Sequence, residues 1–374
     1  MTLIFILLGC LIAFVSSAWV IPGIIQTASR IGLFDKPEKR KLHTDCIPRL
    51  GGFSFLPLFL LSVFFTITLN YIYSLMYIQE DKLLLFFADA GLIVCGLILL
   101  YLVGIKDDLV GVRYLHKFIV QFVVASLIPL SGLWINNLYG LLGIHCLSPI
   151  VGIPLTVLLV IFIINAVNLI DGIDGLASGL CIIGLAVMGG IFIMKKELFL
   201  ALSAFVMGSI LIPFFYYNVF GKAGKGTKIF MGDTGSLTLG YFLAFFALHA
   251  SFDGDKSILN DDIIMIAFAP LLIPMLDVCR VMFVRFRNGK HLFTADNNHI
   301  HHKFLQQGFS HRQTLVFLLA MSALLCVINL FMASRVNVNI LVVIDGLVWV
   351  GLRCVGCYMN PNKTIIRKMF YEGE

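Results

Sequence analysis

The stretch NAVNLIDGIDGLASG, residues 165–179, interrupts a long apolar run with two asparagines and two aspartates. An aspartate held at mid-membrane costs about 2.5 to 3.5 kcal/mol on insertion scales. We therefore expect Asp171 and Asp174 to reach water or to bind a ligand. The glycines between them are typical of close helix packing or of a broken helix end, which membranes tolerate only around a cavity. The stretch predicts two membrane helices joined at a functional polar turn.

The rest of the chain has the composition of a multi-spanning membrane protein. Of its 374 residues, 59% are hydrophobic and 13% are charged, whereas ordinary soluble domains are roughly 45 to 50% apolar and 25% charged. Apolar runs recur from residue 2 to residue 357 with no long polar block between them. This pattern predicts a single transmembrane domain over 1–374. The nine cysteines show no disulfide-like or metal-like spacing, so we expect them to be packing residues.

About eleven apolar segments are long enough to cross a bilayer core, which needs about 20 residues per helix. We therefore predict an all-α, polytopic integral membrane protein. The first segment is expected to be an uncleaved span, because no Lys or Arg precedes it as in a signal peptide. The predicted spans are approximately 2–28, 51–78, 83–105, 117–134, 151–167, 179–194, 198–218, 234–252, 261–283, 314–333 and 338–357.

Lysine and arginine are distributed unevenly between the two sides of this topology. One side, including its helix ends and the C-terminal segment, holds 22 of the 27 Lys and Arg residues. Because positive residues near helix ends stay preferentially in the cytoplasm, we predict that this side is cytoplasmic and that the N-terminus lies outside. The predicted cytoplasmic loops are about 29–50, 106–117, 168–178, 219–233 and 284–313.

Four polar clusters lie on this same side. They are KDD at 106–108, NLIDGID at 168–174, FMGD at 230–233 and NNHIHH at 297–302. Unrelated surface loops have no reason to share a side, whereas parts of one site must do so. The topology therefore predicts one active site at the cytoplasmic face.

Acidic and amide side chains in these clusters suit metal or base chemistry. Asp107 and Asp108 are adjacent, so they repel each other and share a proton unless a cation is near; a metal site, a base and a solvated helix end are all open. Lys117 either meets phosphate at the interface or snorkels towards water. Asp233 begins a span, where it caps the helix or binds a hard cation such as Mg²⁺ together with the amide oxygen of Asn168.

Four of the nine histidines fall in the run 295–312, within the longest predicted loop. They are His299, His301, His302 and His311. Zinc, phosphate or sugar contact, and a hydrogen-bonded turn are the alternatives for this cluster. No cysteine is near and the available carboxylates suit a harder ion than zinc, while neighbouring basic residues favour phosphate and sugar oxygens. Phe230 either stacks on a nucleobase or packs within the membrane.

With these motifs assembled, the chain resembles the polyprenyl-phosphate N-acetylhexosamine-1-phosphate transferases. The resemblance runs from about residue 35 to 312 through PRLGG, KDD, LHKFIVQ, NAVNLIDGIDGLASG, YYN, FMGDTGSLTLG and HIHH, in the family's order. The peptidoglycan translocases of this family carry TPTMGG and a triple histidine, where this chain has IPRLGG and HIHHK. The chain is therefore more similar to the bacterial undecaprenyl-phosphate N-acetylglucosamine-1-phosphate transferases.

The resemblance implies an activity, a cofactor and a location. The activity is transfer of a sugar-1-phosphate from a UDP-N-acetylhexosamine, with N-acetylglucosamine as the expected sugar, to undecaprenyl phosphate, releasing UMP. The cofactor is Mg²⁺, with Mn²⁺ as a substitute. The location is the bacterial inner membrane, at the first membrane step of a cell-envelope polysaccharide pathway such as O-antigen synthesis. No nucleic-acid partner is expected. A homodimer, the identity of the pathway, and a phospho-enzyme in place of a single displacement stay open.

The resemblance also assigns roles by motif position. The catalytic residues are Asp107, Asp108 and Lys117, and the metal ligands are Asn168 and Asp233. Within this family Asp107 is the residue expected to deprotonate or orient the lipid phosphate, and the choice between Asp107 and Asp108 as base stays open. The substrate-binding residues are Asp171, Asp174, Asn218, Phe230, His299, His301 and His302.

A transporter is the main alternative function, because intramembrane acids and glycine-broken helices also mark ion-coupled sites. Transporters place such residues near the bilayer midplane and often have two related halves. In this chain the polar clusters gather at one face and no internal repeat is visible. An inactive membrane scaffold is a third hypothesis, and the intact set of acidic and amide residues argues against it.

Overall fold

The computed structural model describes the backbone of residues 3–34, 47–74, 80–252, 263–289 and 299–358. Side chains are described over the same ranges except at 74, 80–90 and 352–358. Parts of two predicted loops, at 35–46 and 290–298, lie outside the described residues.

The described residues are mainly α-helical. The helices are α1 (Leu3–Ile31), α2 (Phe55–Ser74), α3 (Glu80–Val110), α4 (Tyr114–Leu130), α5 (Pro149–Ile170), α6 (Leu176–Met194), α7 (Leu198–Phe220), α8 (Gly232–Phe252), α9 (Ile263–Phe268), α10 (Leu272–Arg287), α11 (Ile300–Gln306), α12 (His311–Met332) and α13 (Val338–Tyr358). Short 3₁₀ turns occupy Gly51–Ser54, Ala223–Lys225 and Ala269–Leu271. A two-stranded antiparallel hairpin, β1 (Asn137–Leu141) and β2 (Ile144–Cys146), is the addition that the sequence did not predict.

The predicted architecture of a polytopic helical membrane protein is confirmed. Within the described part of the chain, eight helical segments are long and apolar enough to cross a membrane. Helix α4 and the first part of α13 are shorter apolar helices, and α3 is 31 residues long. Each predicted span overlaps one of these helices, while the total of about eleven spans stays a prediction.

Helix α8 lies at the centre of the bundle. It packs against α3, α5, α6 and α9. Of its most apolar 18-residue stretch, 83% is buried, compared with 28% for the corresponding stretch of α1. Small side chains repeat along α8 in the sequence GDTGSLTLG, and small residues let helix backbones approach closely in a membrane. The N-terminal turn of this central helix therefore has neighbours on several sides.

Helices α3 and α8 approach each other closely near the end of α3. A Cβ atom at Gly104 would overlap the backbone of Thr234 in the first turn of α8. The absence of a side chain at Gly104 thus permits the contact. It brings the C-terminal turn of α3 against the N-terminus of α8.

The hairpin marks the opposite end of the bundle. The hydroxyl of Tyr139 donates a hydrogen bond to the carbonyl oxygen of Ser251 at 2.6 Å, and the backbone N–H of Leu142 donates to Asn339 Oδ1 at 2.7 Å. Ser251 lies near the C-terminus of α8, whose 21 residues extend about 30 Å at 1.5 Å per residue. The hairpin is therefore separated from Asp233 by the length of α8.

Candidate active site

Helices α3, α4 and α8 place one lysine between two aspartates. Lys117 Nζ lies 2.6 Å from Asp107 Oδ2 and 2.5 Å from Asp233 Oδ2. Both carboxylate side chains are 13% exposed and the lysine is 23% exposed, so water screens these ion pairs less than it screens surface pairs. The backbone N–H of Val112 donates to Asp107 Oδ1 at 2.7 Å. Lys117 is therefore part of an acidic cluster and does not snorkel into water.

Asp108 has a different set of partners from its neighbour. Its Oδ1 accepts a hydrogen bond from the N–H of Asp233 at 2.8 Å, and its Oδ2 accepts from the N–H of Thr234 at 2.9 Å and from Thr234 Oγ1 at 2.7 Å. The first N–H groups of a helix have no acceptor within the helix, and a negative charge is favourable there. Asp108 therefore caps α8 from a neighbouring helix, and so orients Asp233.

The three carboxylates form a group with the chemistry of a hard-cation site. Suitable oxygen atoms of Asp107, Asp108 and Asp233 lie within 4.8 Å of one another, and Mg²⁺ and Mn²⁺ prefer such oxygen donors. Asn168 Nδ2 donates to Ser236 Oγ at 2.8 Å. Ser236 follows Asp233 by three residues and lies on the same face of α8. Because Asn168 uses its amide nitrogen in this bond, its amide oxygen is left as a further ligand atom for a cation. The residues present fit a divalent cation.

A hydrogen-bonded pair of amide side chains lies one helical turn away from the acidic cluster. Asn165 Nδ2 donates to Gln121 Oε1 at 2.8 Å, and Gln121 is buried. Gln121 lies one turn after Lys117, and Asn165 lies one turn before Asn168. The amide pair thus ties α4 to α5 where these helices carry the two predicted site residues.

A cavity of about 640 Å³ opens beside the acidic cluster. Five of the predicted substrate-binding residues line it, namely Asp171, Asp174, Asn218, Phe230 and His302. The structure therefore brings together residues from four separate polar or aromatic motifs. Their roles in substrate binding stay predictions.

Arg49 and Gly232 connect the cavity with the acidic cluster. Both line the cavity. One guanidinium nitrogen of Arg49 lies 3.5 Å from Asp233 Oδ1, and Gly232 directly precedes Asp233 in the chain. The PRLGG loop reaches this position because the N–H of Gly51 and that of Gly52 donate to the carbonyl oxygens of Phe230 and Met231 at 2.9 and 2.8 Å.

Lys228 is a cavity residue that the sequence analysis did not select. Its ammonium lies 2.5 Å from Asp174 Oδ2 and 6.0 Å from the ring centroid of Phe230. Arg312 also lines the cavity. In the sequence these cations contributed only to the predicted topology, because the folded contact with Asp174 is not visible in a linear pattern. They give the cavity positive charge suited to an anionic ligand.

Asp171 lies just after α5, outside the spanning segment, on the cavity wall. Burial raises the pKa of its carboxyl group to about 7. The Arg49 guanidinium opposes this increase in pKa, whereas the carboxylates of Asp233, Asp174 and Asp108 add to it. Asp171 therefore exchanges its proton near neutral pH, which is a property common at functional sites.

Asn218 holds two segments of the cavity wall together. Its Oδ1 accepts from the N–H of Gly175 at 2.5 Å, and its Nδ2 donates to the carbonyl oxygen of Ile229 at 2.8 Å. The side chain thus joins the start of α6 to the segment before α8. Asn218 therefore has a structural role in the cavity wall. Its contact with substrate stays a prediction.

The histidine motif is divided between the cavity and the interior. His302 lines the cavity, whereas His299 and His301 are 6% and 1% exposed. Burial, followed by the nearby His302 and His299, lowers the pKa of His301 to about 3, so this ring is neutral at physiological pH. Among the described residues, the acidic cluster is the only group of His, Cys, Asp and Glu with metal-like spacing, which leaves zinc at the histidines unsupported.

Asp277 anchors the histidine motif and was missed by the sequence analysis. Its Oδ2 lies 2.9 Å from His299 Nδ1. The signal available in the sequence was an aspartate within the apolar run 261–283, since acidic residues inside spans are rare and usually paired.

The fold and site together define a class: a polytopic, helical membrane protein whose acidic cluster and cationic cavity lie at one end of the bundle and suit a phosphorylated ligand. Comparison with known proteins agrees. Residues 90–251 match the model of glycosyl transferase family 4, a segment that includes the acidic cluster and most of the cavity wall.

Full-length relatives extend this match. The chain is 32% identical over 307 residues to an undecaprenyl-phosphate alpha-N-acetylglucosaminyl 1-phosphate transferase of Yersinia pestis, covering 81% of this chain and 78% of the relative. It is 31% identical over 307 residues to the Escherichia coli K12 enzyme of that name, covering 81% and 77%. It is 30% identical over 304 residues to a probable undecaprenyl-phosphate N-acetylglucosaminyl 1-phosphate transferase of Bacillus subtilis, covering 79% and 76%.

The chain belongs to glycosyl transferase family 4, in the group of these undecaprenyl-phosphate N-acetylglucosaminyl 1-phosphate transferases. The resemblance inferred from the sequence motifs is thereby confirmed, and the protein is a multi-pass membrane enzyme.

Proposed function

We propose that this protein transfers N-acetylglucosamine 1-phosphate from UDP-N-acetylglucosamine to undecaprenyl phosphate. The observation that carries the proposal is the adjacency of a cationic cavity of about 640 Å³ and an acid–lysine cluster, joined by Arg49. A cavity of this size accommodates a drug-sized ligand. The names of the relatives give the same transferred group and the same lipid acceptor.

In the proposed reaction, an oxygen of the lipid phosphate attacks the β-phosphorus of the nucleotide sugar. The bond between that phosphorus and the oxygen bridging to the α-phosphate breaks, and UMP leaves with the bridging oxygen. The lipid product is undecaprenyl-pyrophosphoryl-N-acetylglucosamine. Such phosphoryl transfers depend mainly on positioning and charge stabilisation.

The cationic side chains offset the charge of two anionic substrates. Lys117 lies where α3, α4 and α8 meet, so it is placed to meet the phosphates at the point of transfer. Arg49 and Lys228 line the cavity, so they are placed to meet the donor. Without such cations the two substrates would repel each other at the reacting centre.

Asp107 is the proposed base. Asp107 accepts one backbone hydrogen bond, from Val112, and its other oxygen pairs with the flexible side chain of Lys117, whereas Asp108 accepts three hydrogen bonds from the first turn of α8. Asp107 therefore has the freer carboxylate of the pair to accept a proton from, or orient, the lipid phosphate. A single displacement needs only a base and the metal, and a phospho-aspartyl intermediate on the Asp107–Asp108 pair is the rival route.

We also propose that the reaction requires Mg²⁺, for which Mn²⁺ substitutes. The donor set that supports this is the group of carboxylate oxygens within 4.8 Å of one another, with Asp233 and the amide oxygen of Asn168 as the proposed ligands. When bound, a divalent cation neutralises charge on the phosphates and stabilises the leaving oxygen.

The proposed site faces the cytoplasm of a bacterial inner membrane. The excess of Lys and Arg on the side that carries the site supports this orientation. The product would be the lipid-linked sugar that begins a cell-envelope polysaccharide.

The test is transfer of labelled sugar phosphate by purified protein in detergent or liposomes. With UDP-N-acetylglucosamine, undecaprenyl phosphate and Mg²⁺, we expect a lipid-linked product and an equal amount of UMP. Parallel reactions with other UDP-N-acetylhexosamines measure donor preference, EDTA removes the cation, and Asp233→Asn is the variant expected to lose metal-dependent turnover. Absence of product from every donor, with monodisperse folded protein, would refute the function.

A further inference from the structure

Asp277 in α10 has more hydrogen-bond partners than a packing residue needs. Its side chain is completely buried. Asp277 Oδ1 accepts from the N–H of Ile300 at 2.9 Å and from a guanidinium nitrogen of Arg280 at 2.8 Å, while Oδ2 lies 2.9 Å from His299 Nδ1. A buried carboxylate destabilises the fold unless such hydrogen bonds and ion pairs compensate for its lost hydration.

These bonds hold the histidine motif against α10. Ile300 is the first residue of α11, and His299 directly precedes it. Helix α11 is only seven residues long, too short to be stable through its own backbone bonds. Its position therefore depends on anchors such as Asp277, which caps it and fixes the ring of the preceding histidine.

The anchor is relayed to the cavity through a row of neighbouring histidine rings. His299 and His301 are parallel within 6°, with ring centroids 5.9 Å apart, and the centroids of His301 and His302 are 4.3 Å apart. Neither ring nitrogen of His301 has a hydrogen-bond partner among the described residues. Its ring fills the space beside Gly172, where a Cβ atom would overlap it. His301 thus serves as a packed spacer between the anchored His299 and the cavity wall.

We propose that Asp277 is a positioning residue for donor binding, which acts by setting His302 at the cavity through α11 and the His299–His301 stack. The inference rests on the proposed function, because it concerns the donor site of that reaction. It also divides the histidine motif: His302 contacts the donor, while His299 and His301 hold it in place. A structural residue would change the amount of folded enzyme, whereas a positioning residue changes the affinity for one substrate.

The experiment compares Asp277→Asn and Asp277→Leu with the wild type in steady-state transfer. We expect Asp277→Leu to raise the KM for UDP-N-acetylglucosamine about tenfold, the lower range for loss of a residue that orients a functional side chain, and to leave the KM for undecaprenyl phosphate unchanged. Asp277→Asn keeps an acceptor for the Ile300 N–H and should recover part of the donor affinity. Asp345→Asn, a change at a buried aspartate bonded to Asn329 between α12 and α13, is the matched control and should leave both KM values unchanged.

A double variant tests the proposed path. If Asp277 acts through His302, Asp277→Asn combined with His302→Gln should raise the donor KM no further than His302→Gln alone, because effects in one network are not additive. Additive effects, or a lower kcat with an unchanged donor KM in every Asp277 variant, would overturn the inference. His299→Gln provides the same comparison if Asp277→Leu does not fold. If the wild type transfers no sugar phosphate, both the inference and the proposed function fail; if only the KM pattern is absent, the function stands.

Discussion

Asp107 and Asp108 are neighbours in the chain but serve different parts of the structure. Asp107 contacts Lys117, whereas Asp108 accepts three hydrogen bonds from the first turn of α8. Adjacent residues near a helix end point in different directions, so they meet different neighbours. The loss of either carboxylate should therefore reduce activity for a different reason.

The two asparagine variants separate these reasons. Asp108→Asn places an amide group against N–H donors, which costs about 1 to 3 kcal/mol for an unsatisfied buried group, so we expect a lower Tm together with lower activity. Asp107→Asn keeps an acceptor for Val112 and leaves Lys117 paired with Asp233, so its Tm should fall less than that of Asp108→Asn while the rate falls about 10²- to 10⁴-fold, as for a lost general base. Thermal unfolding in detergent and initial rates measure both. If Asp108→Asn unfolded at the wild-type Tm, this would contradict the role of Asp108 as the cap of α8.

Asp171 predicts a pH dependence of stability. Its pKa is raised from 3.8 to about 7 in the fold, so the folded state binds this proton more tightly than the unfolded state does. Stability attributable to the neutral carboxyl is therefore lost as the pH rises from about 4 to about 7, and is constant above that range. Relative to Asp171→Asn, which does not titrate, the wild-type Tm should fall by a few degrees between pH 5 and pH 8. A constant difference across these pH values would contradict the shifted pKa.

Helix α8 carries the geometry of the site because several segments converge on its N-terminal turn. Asp108 from α3, Lys117 from α4, Asn168 from α5 and the PRLGG loop all contact residues of this turn or of the segment just before it. A displacement of α8 relative to α3 would therefore change the distances between the proposed base, the lysine and the proposed metal ligand together.

Two glycines of α3 test this dependence. Gly104→Ala would force its new methyl group into the backbone of Thr234, and such overpacking costs about 1 to 3 kcal/mol; we expect a lower Tm and a strong loss of transfer activity. Gly91→Ala is the matched control, because no described atom outside its own helix turn lies within 4 Å of its added Cβ. The control should retain activity and gain up to about 1 kcal/mol from better helix propensity. Equal activities of the two variants would show that the α3–α8 contact does not control the site.

The molecule as a whole has two chemically different ends. One end holds the acidic cluster and the cationic cavity, and the other holds the β1–β2 hairpin, bonded to the C-terminal end of α8 and to Asn339. The excess of Lys and Arg at the first end predicts which end faces the cytoplasm. The exposed Cys146 in β2 and the exposed Lys225 in the turn after α7 lie on opposite sides of the predicted topology.

Thiol labelling of intact spheroplasts measures this orientation. A membrane-impermeant maleimide should modify Cys146 from outside, and Cys146→Ala should abolish that labelling. In the Cys146→Ala background, Lys225→Cys should react only after the membrane is permeabilised, because the barrier to the charged reagent is the bilayer itself. Labelling of Lys225→Cys in intact spheroplasts would reverse the predicted topology and place the site outside.

Local patterns in the sequence were sufficient to predict the fold class and the family. The length and apolarity of each run are enough to indicate a membrane helix. Motifs such as KDD and FMGD, and their order, can be read directly from the sequence. The predicted convergence of the four polar clusters is likewise found in the structure, since topology places them at one end of the bundle. The β1–β2 hairpin was not predicted, because residues 137–146 carry no strong alternating pattern.

The sequence by itself determined a polytopic helical membrane enzyme with its polar motifs on one side, because hydropathy and motif order are local properties. Only the tertiary structure decided which side chains act on one another. Asp108 accepts a hydrogen bond from a residue 125 positions later, Asp174 pairs with Lys228, and Asp277 anchors the histidine that precedes α11. These contacts depend on how helices distant in the chain pack, and burial then sets the partners and the protonation of each group.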